Sequence, residues 1–163
     1  MNLLDRISAA IGKATAWLTL AMVLVTFVVV VLRYVFDFGL IWLQESVTWM
    51  HAAVFMLGAA YTLLDDEHVR VDVLYGKATP VQRAWIDLVG VIVFLLPLCA
   101  FLAVKAWDFV AISWSMQEAS RESGGLPYPL LPILKTALIV MPALVALQGV
   151  SMMLRALAVI RAD

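Results

Sequence analysis

Four uncharged stretches decide what this chain can fold into. They cover residues 14–32, 46–64, 88–104 and 136–154, and they are 19, 19, 17 and 19 residues long. A helix of such length reaches about 25–28 Å, close to the ~30 Å thickness of bilayer hydrocarbon. Hydrocarbon offers no partners to backbone N–H and C=O groups, so a crossing stretch must be helical. The sequence therefore predicts an all-α integral membrane protein with four transmembrane helices.

Composition supports lipid as the main solvent of the chain. Of its 163 residues, 64% are hydrophobic and only 14% are charged, against roughly 25% charged residues in soluble domains. The net charge of −1 provides no basic surface for nucleic acid. We therefore expect membrane phospholipids, and no nucleic acid, around this protein.

The first stretch follows Arg6 and Lys13, as the apolar core of a signal peptide would. That core is roughly 7–15 residues long, whereas this stretch has 19 uncharged residues. We expect it to be a retained crossing. With flanks, the four crossings of a single membrane domain (1–163) are predicted at about 14–36, 42–64, 84–107 and 130–155, the third extending outward to about 122.

The distribution of Lys and Arg predicts the orientation. Seven of these residues flank the crossings on the side of the two termini, and four lie on the opposite side. Because cytoplasmic loops carry the excess of positive charge, both termini are predicted in the cytoplasm. On that side, residues 67–80 alternate valines with Arg70 and Asp72, which predicts an amphipathic interfacial segment. A tight, strand-like loop is the alternative.

Glu45 is a candidate functional residue because carboxylates are costly in lipid. It directly precedes the second stretch, and Arg33 directly follows the first, across a short hairpin. We therefore predict an Arg33–Glu45 ion pair that clamps the first two helices. A direct role of Glu45 in transport is the alternative.

His51 could ligate a metal or haem, or relay a proton. The other histidine, His68, would lie about 25 Å away along the same helix, so the two cannot share one ion. We expect His51 to be a packing or interhelix residue, and we predict no metal and no cofactor. No nucleophile elbow, phosphate cradle, HExxH or CxxC motif occurs, which predicts that the chain is not an enzyme.

Polar residues are scarce in the centres of the four stretches, whereas secondary transporters bind substrate near the midplane of the membrane. This favours a partner subunit over a solute pathway. Two alternatives stay open: a haem-bearing four-helix anchor of an electron-transfer complex, and a small homodimeric proton-coupled exporter with Glu45 as its proton site.

Five motifs, in their order and spacing, resemble the small membrane subunit of tripartite ATP-independent periplasmic (TRAP) transporters, the DctQ family. They are LRYVF at 32–36, IWLQES at 41–46, HVRVDVL at 68–74, ESGGLPYPLLP at 122–132 and LQGV at 147–150. The chain departs from the family's usual pair of acids after the tryptophan, because Gln44 precedes Glu45. A role that needs two carboxylates there is therefore not expected for this chain.

The resemblance implies a non-catalytic scaffold for a large, sodium-coupled permease subunit that works as an elevator. A periplasmic binding protein would deliver an organic acid to this pair. Candidate residues for the interface with the large subunit are Trp42, Trp49, His51, Arg70 and Asp72. Candidates for docking the binding protein are Glu118, Arg121 and Glu122.

Overall fold

The described part of the chain contains four long helices. The computed structural model describes residues 3–65, 67, 75–76 and 78–162. Within these residues lie α1 (Leu3–Val35), α2 (Ile41–Leu64), α3 (Pro80–Ser115) and α4 (Leu130–Ala162). Each is long and apolar enough to cross a membrane, which confirms the prediction of an all-α, four-helix membrane protein.

The interfacial segment predicted at 67–80 lies mostly outside the described residues, as do Arg70 and Asp72. Helix α3 begins directly after Thr79. The Thr79 hydroxyl accepts a hydrogen bond from the Gln82 backbone N–H, and the Gln82 side chain accepts one from the Thr79 N–H. This capping box, followed by Pro80, fixes the start of α3.

Helix α4 is the centre of the bundle. It packs against all three other helices, while α2 also packs against α1. Its buried positions are mostly small, including Ala137, Gly149, Ser151 and Ala156, and small residues let transmembrane helices approach closely. Helices α1 and α3 are peripheral, and each leaves large apolar side chains exposed along its length, among them Trp17, Leu24, Phe27, Phe94, Phe101 and Trp107.

Helix α3 contains one π-helical turn, Val91–Leu95, just before Pro97. Proline lacks a backbone N–H and disrupts the regular hydrogen-bond pattern of a helix, so the sequence predicts a kink here. The structure resolves the irregularity as a π turn, with Pro97 in the first turn of the following α-helical part. The same turn directs Val91 and Leu95 against Gly149 of α4, so it also sets the α3–α4 contact.

Helix α3 ends at Ser115, whereas the sequence suggests a helical extension to about residue 122. The reason is a left-handed residue, Gln117, whose φ is 49°. Its N–H donates to the Trp114 carbonyl, and the Glu118 N–H donates to the Ser113 carbonyl. These two bonds form a Schellman motif that closes the helix, and residues 116–129, hereafter the long loop, cross from α3 to α4.

Gly12 sets the close approach of α1 and α2, and its replacement by alanine should destabilise the protein. A Cβ at this position would collide with Cβ and ring carbons of Tyr61. Backbone or side chains must then shift, which typically costs about 1–3 kcal/mol. At Gly58, in contrast, a Cβ meets nothing within 4 Å.

The matched control is therefore Gly58→Ala, which should leave stability unchanged or raise it by up to about 1 kcal/mol through helix propensity. Thermal unfolding of the purified protein in detergent would measure both variants. Equal melting temperatures for Gly12→Ala and Gly58→Ala would contradict the packing described here.

Candidate functional site

Polar side chains gather at the two ends of the bundle. At one end, Glu45 in the first turns of α2 holds the long loop. Its Oε1 accepts a hydrogen bond from the Ser120 hydroxyl (2.6 Å), and its Oε2 accepts one from the Leu126 backbone N–H (2.7 Å). We call Glu45, Ser120 and Leu126 the loop cluster. Both carboxylate oxygens are thus used in fixing a loop to a helix.

Backbone contacts reinforce the loop cluster. The Trp42 N–H donates to the Gly124 carbonyl (3.0 Å), and the Ser120 N–H donates to the Leu126 carbonyl (2.9 Å). A Cβ at Gly125 would collide with the Ser120 hydroxyl and with the Glu45 carboxylate. The two glycines of the sequence GGLPYP therefore serve the attachment: one supplies the carbonyl, and the other leaves room for the carboxylate.

The predicted ion pair between Arg33 and Glu45 is not formed within the part of the chain that the structure describes. The ion pairs found there join Lys135 with Glu118 and Arg155 with Asp5. Arg33 lies exposed at the end of α1, where it lines a shallow groove together with Asp37 and Gln44. Glu45 accepts hydrogen bonds from uncharged donors of the long loop, so it joins α2 to the loop between α3 and α4.

A second layer of contacts joins the long loop to α3 and α4. Glu118 accepts from the Lys135 ammonium and from the Ser113 hydroxyl (2.6 Å). These hydrogen bonds hold the pKa of Glu118 below its ordinary value, and the bond from Lys135 has the larger effect. The Trp114 indole N–H donates to the Thr136 hydroxyl (2.9 Å). Glu118, a predicted docking residue, is therefore engaged inside the chain.

Trp42 and Trp49, which are predicted candidates for the interface with the large subunit, lie at this end as well. The Trp49 indole N–H donates to the Leu130 carbonyl (2.7 Å), and this bond joins α2 to the first residue of α4. Trp42 contributes its backbone N–H to the loop, and its side chain is exposed. Arg121 and Glu122, in contrast, are exposed residues of the long loop. The structure thus brings Glu45, Trp42 and the docking candidates to one end of the bundle.

At the opposite end, a buried polar cluster joins α1 to α4. Asp5 Oδ1 accepts from the Ser151 hydroxyl (2.6 Å) and from the Gln148 amide (3.2 Å), and Asp5 Oδ2 lies 3.5 Å from Arg155 Nη1. The Ser8 hydroxyl donates to Gln148 Oε1 (2.9 Å). We call Asp5, Ser8, Gln148, Ser151 and Arg155 the terminal cluster. Gln148 and Ser151 are fully buried, and Asp5 is 2% exposed.

Sequence reasoning missed the terminal cluster, although a signal exists. Gln148, Ser151 and Arg155 recur at spacings of three and four, which places them on one face of a helix. Asp5 and Ser8 share a face of α1 for the same reason. The partners, however, are 140 to 146 positions apart in the sequence, so only the packing of α1 against α4 shows that these two faces meet.

His51 lies on an exposed side of α2, in a groove next to α1. Among the described residues, no group of three or more His, Cys, Asp and Glu side chains could hold a metal ion. His68 lies outside those residues. Glu45 sits only about 6 Å along the helix from the first residue of α2, which counts against the proton site of an exporter, since that role requires a carboxylate deep in the bundle.

Comparison with known proteins identifies the family. A sequence profile for the DctQ component of tripartite ATP-independent periplasmic transporters matches residues 22–159. A C4-dicarboxylate TRAP transporter small permease protein, DctQ of Vibrio cholerae serotype O1, is 32% identical over 112 residues, which are 67% of this chain and 46% of the relative. The chain thus spans about half the length of that protein.

No solved structure matches this chain. The profile, however, covers most of it, including α2, α3 and the loop cluster. The relative carries the same family designation. The resemblance noted in the five motifs is therefore confirmed: the chain belongs to the DctQ family, the small permease subunits of TRAP transporters, which are multi-pass proteins of the bacterial inner membrane.

Proposed function

We propose that this chain is a static scaffold for a large permease subunit of a sodium-coupled TRAP transporter of organic acids. The observation that carries the proposal is that the polar side chains of the chain bind to one another and hold its helices and loops together. Every buried side-chain nitrogen or oxygen in the described residues has a hydrogen-bond partner, and the loop and terminal clusters join helices or loops to one another. Such groups favour one fixed arrangement of the helices.

A static subunit suits an elevator mechanism. If a substrate-carrying domain moves through the membrane, its counterpart must resist tilting, and additional lipid-embedded helices increase that resistance. The broad apolar face of α1 provides surface for the large subunit, and that of α3 provides surface for phospholipids. Sodium and substrate would bind to the large subunit, so this chain would take part in symport without catalysing a reaction.

The excess of Lys and Arg on the side of its termini supports an orientation of the bundle with both termini in the cytoplasm. With both termini in the cytoplasm, the loop cluster and the long loop face the periplasm. There the exposed Arg121 and Glu122 are available to a periplasmic binding protein. Glu118, held by Lys135 and Ser113, would support the loop from beneath.

The proposal is tested by co-expression of a tagged form of this chain with the large permease subunit of the same organism. We expect the two to purify together in a mild detergent, with no Soret absorption band. Recovery of this chain without the large subunit would contradict the scaffold role, and a Soret band would indicate a haem-bearing anchor instead.

Charge reversal at the long loop tests the docking role. We expect the double variant Arg121→Glu/Glu122→Arg, which conserves net charge, to lower substrate uptake severalfold at limiting binding protein, because charges at the rim of an interface chiefly control association rates. The effect should diminish at saturating binding protein. Arg161→Glu, at the opposite end of the bundle, is the control, and unchanged uptake in the double variant would exclude docking at this loop.

A further inference from the structure

A mostly apolar groove lies beside His51, between α1 and α2. Its volume is about 420 Å³. Met22, Val23 and Thr26 of α1 and Val47, Thr48 and His51 of α2 line it. We call these six residues the His51 groove. Apolar side chains form most of its wall, and the imidazole stands among them.

The groove lies within the hydrocarbon layer. His51 follows Glu45 by six residues, which places it about 9 Å further along α2, and about 20 Å from Leu64 at the other end. Thr26 precedes Arg33 by seven residues and so lies about 10 Å from the end of α1 that carries this charge. The two helices therefore agree on the depth of the groove, well below the charged residues at the rim.

The imidazole of His51 has no partner among the described residues. It is exposed, and it makes no hydrogen bond, ion pair or ring contact there. The Thr26 hydroxyl, in contrast, donates to the Met22 carbonyl (2.7 Å). A neutral imidazole carries one donor and one acceptor, and polar groups at membrane depth almost always face protein or a water-filled cavity.

The depth of the groove determines what can cover it. Lipid tails offer no hydrogen-bonding atoms, and lipid headgroups remain near the level of Glu45 and Arg33. A partner for the imidazole at this depth is therefore a protein group, or water in a cavity that protein encloses. Because the remaining wall is apolar, a transmembrane helix with one polar side chain among apolar ones fits the groove.

We propose that the His51 groove receives a transmembrane helix of the large permease subunit, and that a polar side chain of this helix forms a hydrogen bond with the His51 imidazole. The inference rests on the proposed function, because it assigns the occupant to the large subunit. It places one interface on α1 and α2, at the end of the bundle that carries the loop cluster, and leaves the exposed face of α3 to lipid.

Photo-crosslinking within the co-expressed complex tests the position of the interface. Val23→p-benzoylphenylalanine places the probe in the groove at a side chain that is 57% exposed, and Phe94→p-benzoylphenylalanine places it on α3 at one that is 71% exposed. We expect a crosslink to the large subunit from position 23 and none from position 94. The reverse result, or a crosslink from position 23 only to lipid or to a second copy of this chain, would overturn the proposal.

Substitution of His51 tests the hydrogen bond. His51→Leu removes both polar atoms, and it should lower the amount of large subunit retained by roughly threefold, the effect typical of hydrogen bonds between transmembrane helices. His51→Gln keeps a donor and an acceptor and should retain the complex. Equal retention in both variants would overturn the hydrogen bond.

These results are separable from a failure of the scaffold role. If the unaltered chain does not purify with the large subunit, the proposed function itself fails. If it does, and position 23 gives no crosslink to the large subunit, only the assignment of the His51 groove fails.

Discussion

Replacing Glu45 with alanine is expected to release the long loop from α2. The substitution leaves the Ser120 hydroxyl and the Leu126 N–H without their acceptor, and a partly buried donor without a partner costs about 1–3 kcal/mol. Both bonds are charge-assisted, which makes them stronger than bonds between neutral groups. We expect a lower melting temperature in detergent and faster hydrogen exchange at the Leu126 N–H.

Arg33→Ala is the discriminating control. The carboxylate of Glu45 contacts the loop and not Arg33 in this structure, so Arg33→Ala should leave both measurements unchanged. Gly125→Ala is a second variant that keeps the carboxylate but crowds it and Ser120, and it should also speed exchange in the loop. If Arg33→Ala and Glu45→Ala have equal effects, the ion pair expected from the sequence is the more important contact.

Replacing Asp5 with alanine is expected to detach the beginning of α1 from α4. Asp5 is 2% exposed and accepts from Ser151 and Gln148. Removal of one member of such a buried charged network typically costs about 3–5 kcal/mol, since the remaining groups stay buried without partners. Thermal unfolding would record the loss, and hydrogen exchange over residues 3–15 would locate it.

Two further variants separate the buried network from the exposed charge. Arg155 is 45% exposed and lies 3.5 Å from Asp5, which keeps its hydrogen bonds from Ser151 and Gln148 when Arg155 is replaced, so Arg155→Gln should cost less than Asp5→Ala. Asp108→Asn removes an exposed carboxylate of α3 and should have no effect. A loss for Asp5→Ala as small as that for Asp108→Asn would show that the terminal cluster does not hold α1.

Helix identity was predictable because it depends on local chemistry. Uncharged stretches as long as the hydrocarbon is thick have one stable backbone arrangement in lipid, and all four helices were expected on that ground. The exact ends were less accessible. Helix α1 extends back to Leu3 through a charged segment, in which Asp5 forms hydrogen bonds to α4. Helix α3 ends at Ser115 because Gln117 adopts a left-handed backbone conformation.

The polar contacts depend on how the helices pack, and for this reason the partner predicted for Glu45 differs from the one in the structure. Its importance was visible from its position next to lipid, and its partner was not. The sequence places Arg33 a short hairpin away, whereas Ser120 and Leu126 are 75 and 81 positions distant. Only the return of the chain through α3 brings them to α2. The Gly-Gly pair in the long loop was a usable signal, because close approach of a loop to a side chain often requires glycine.

The account is tested most directly by uptake into liposomes that contain this chain alone, the large permease subunit alone, or both. Each preparation would receive a sodium gradient, the cognate periplasmic binding protein and the labelled organic acid that the binding protein recognises. Sodium-dependent uptake is expected only when both subunits are present. Uptake into liposomes that contain this chain alone would contradict its assignment as a scaffold.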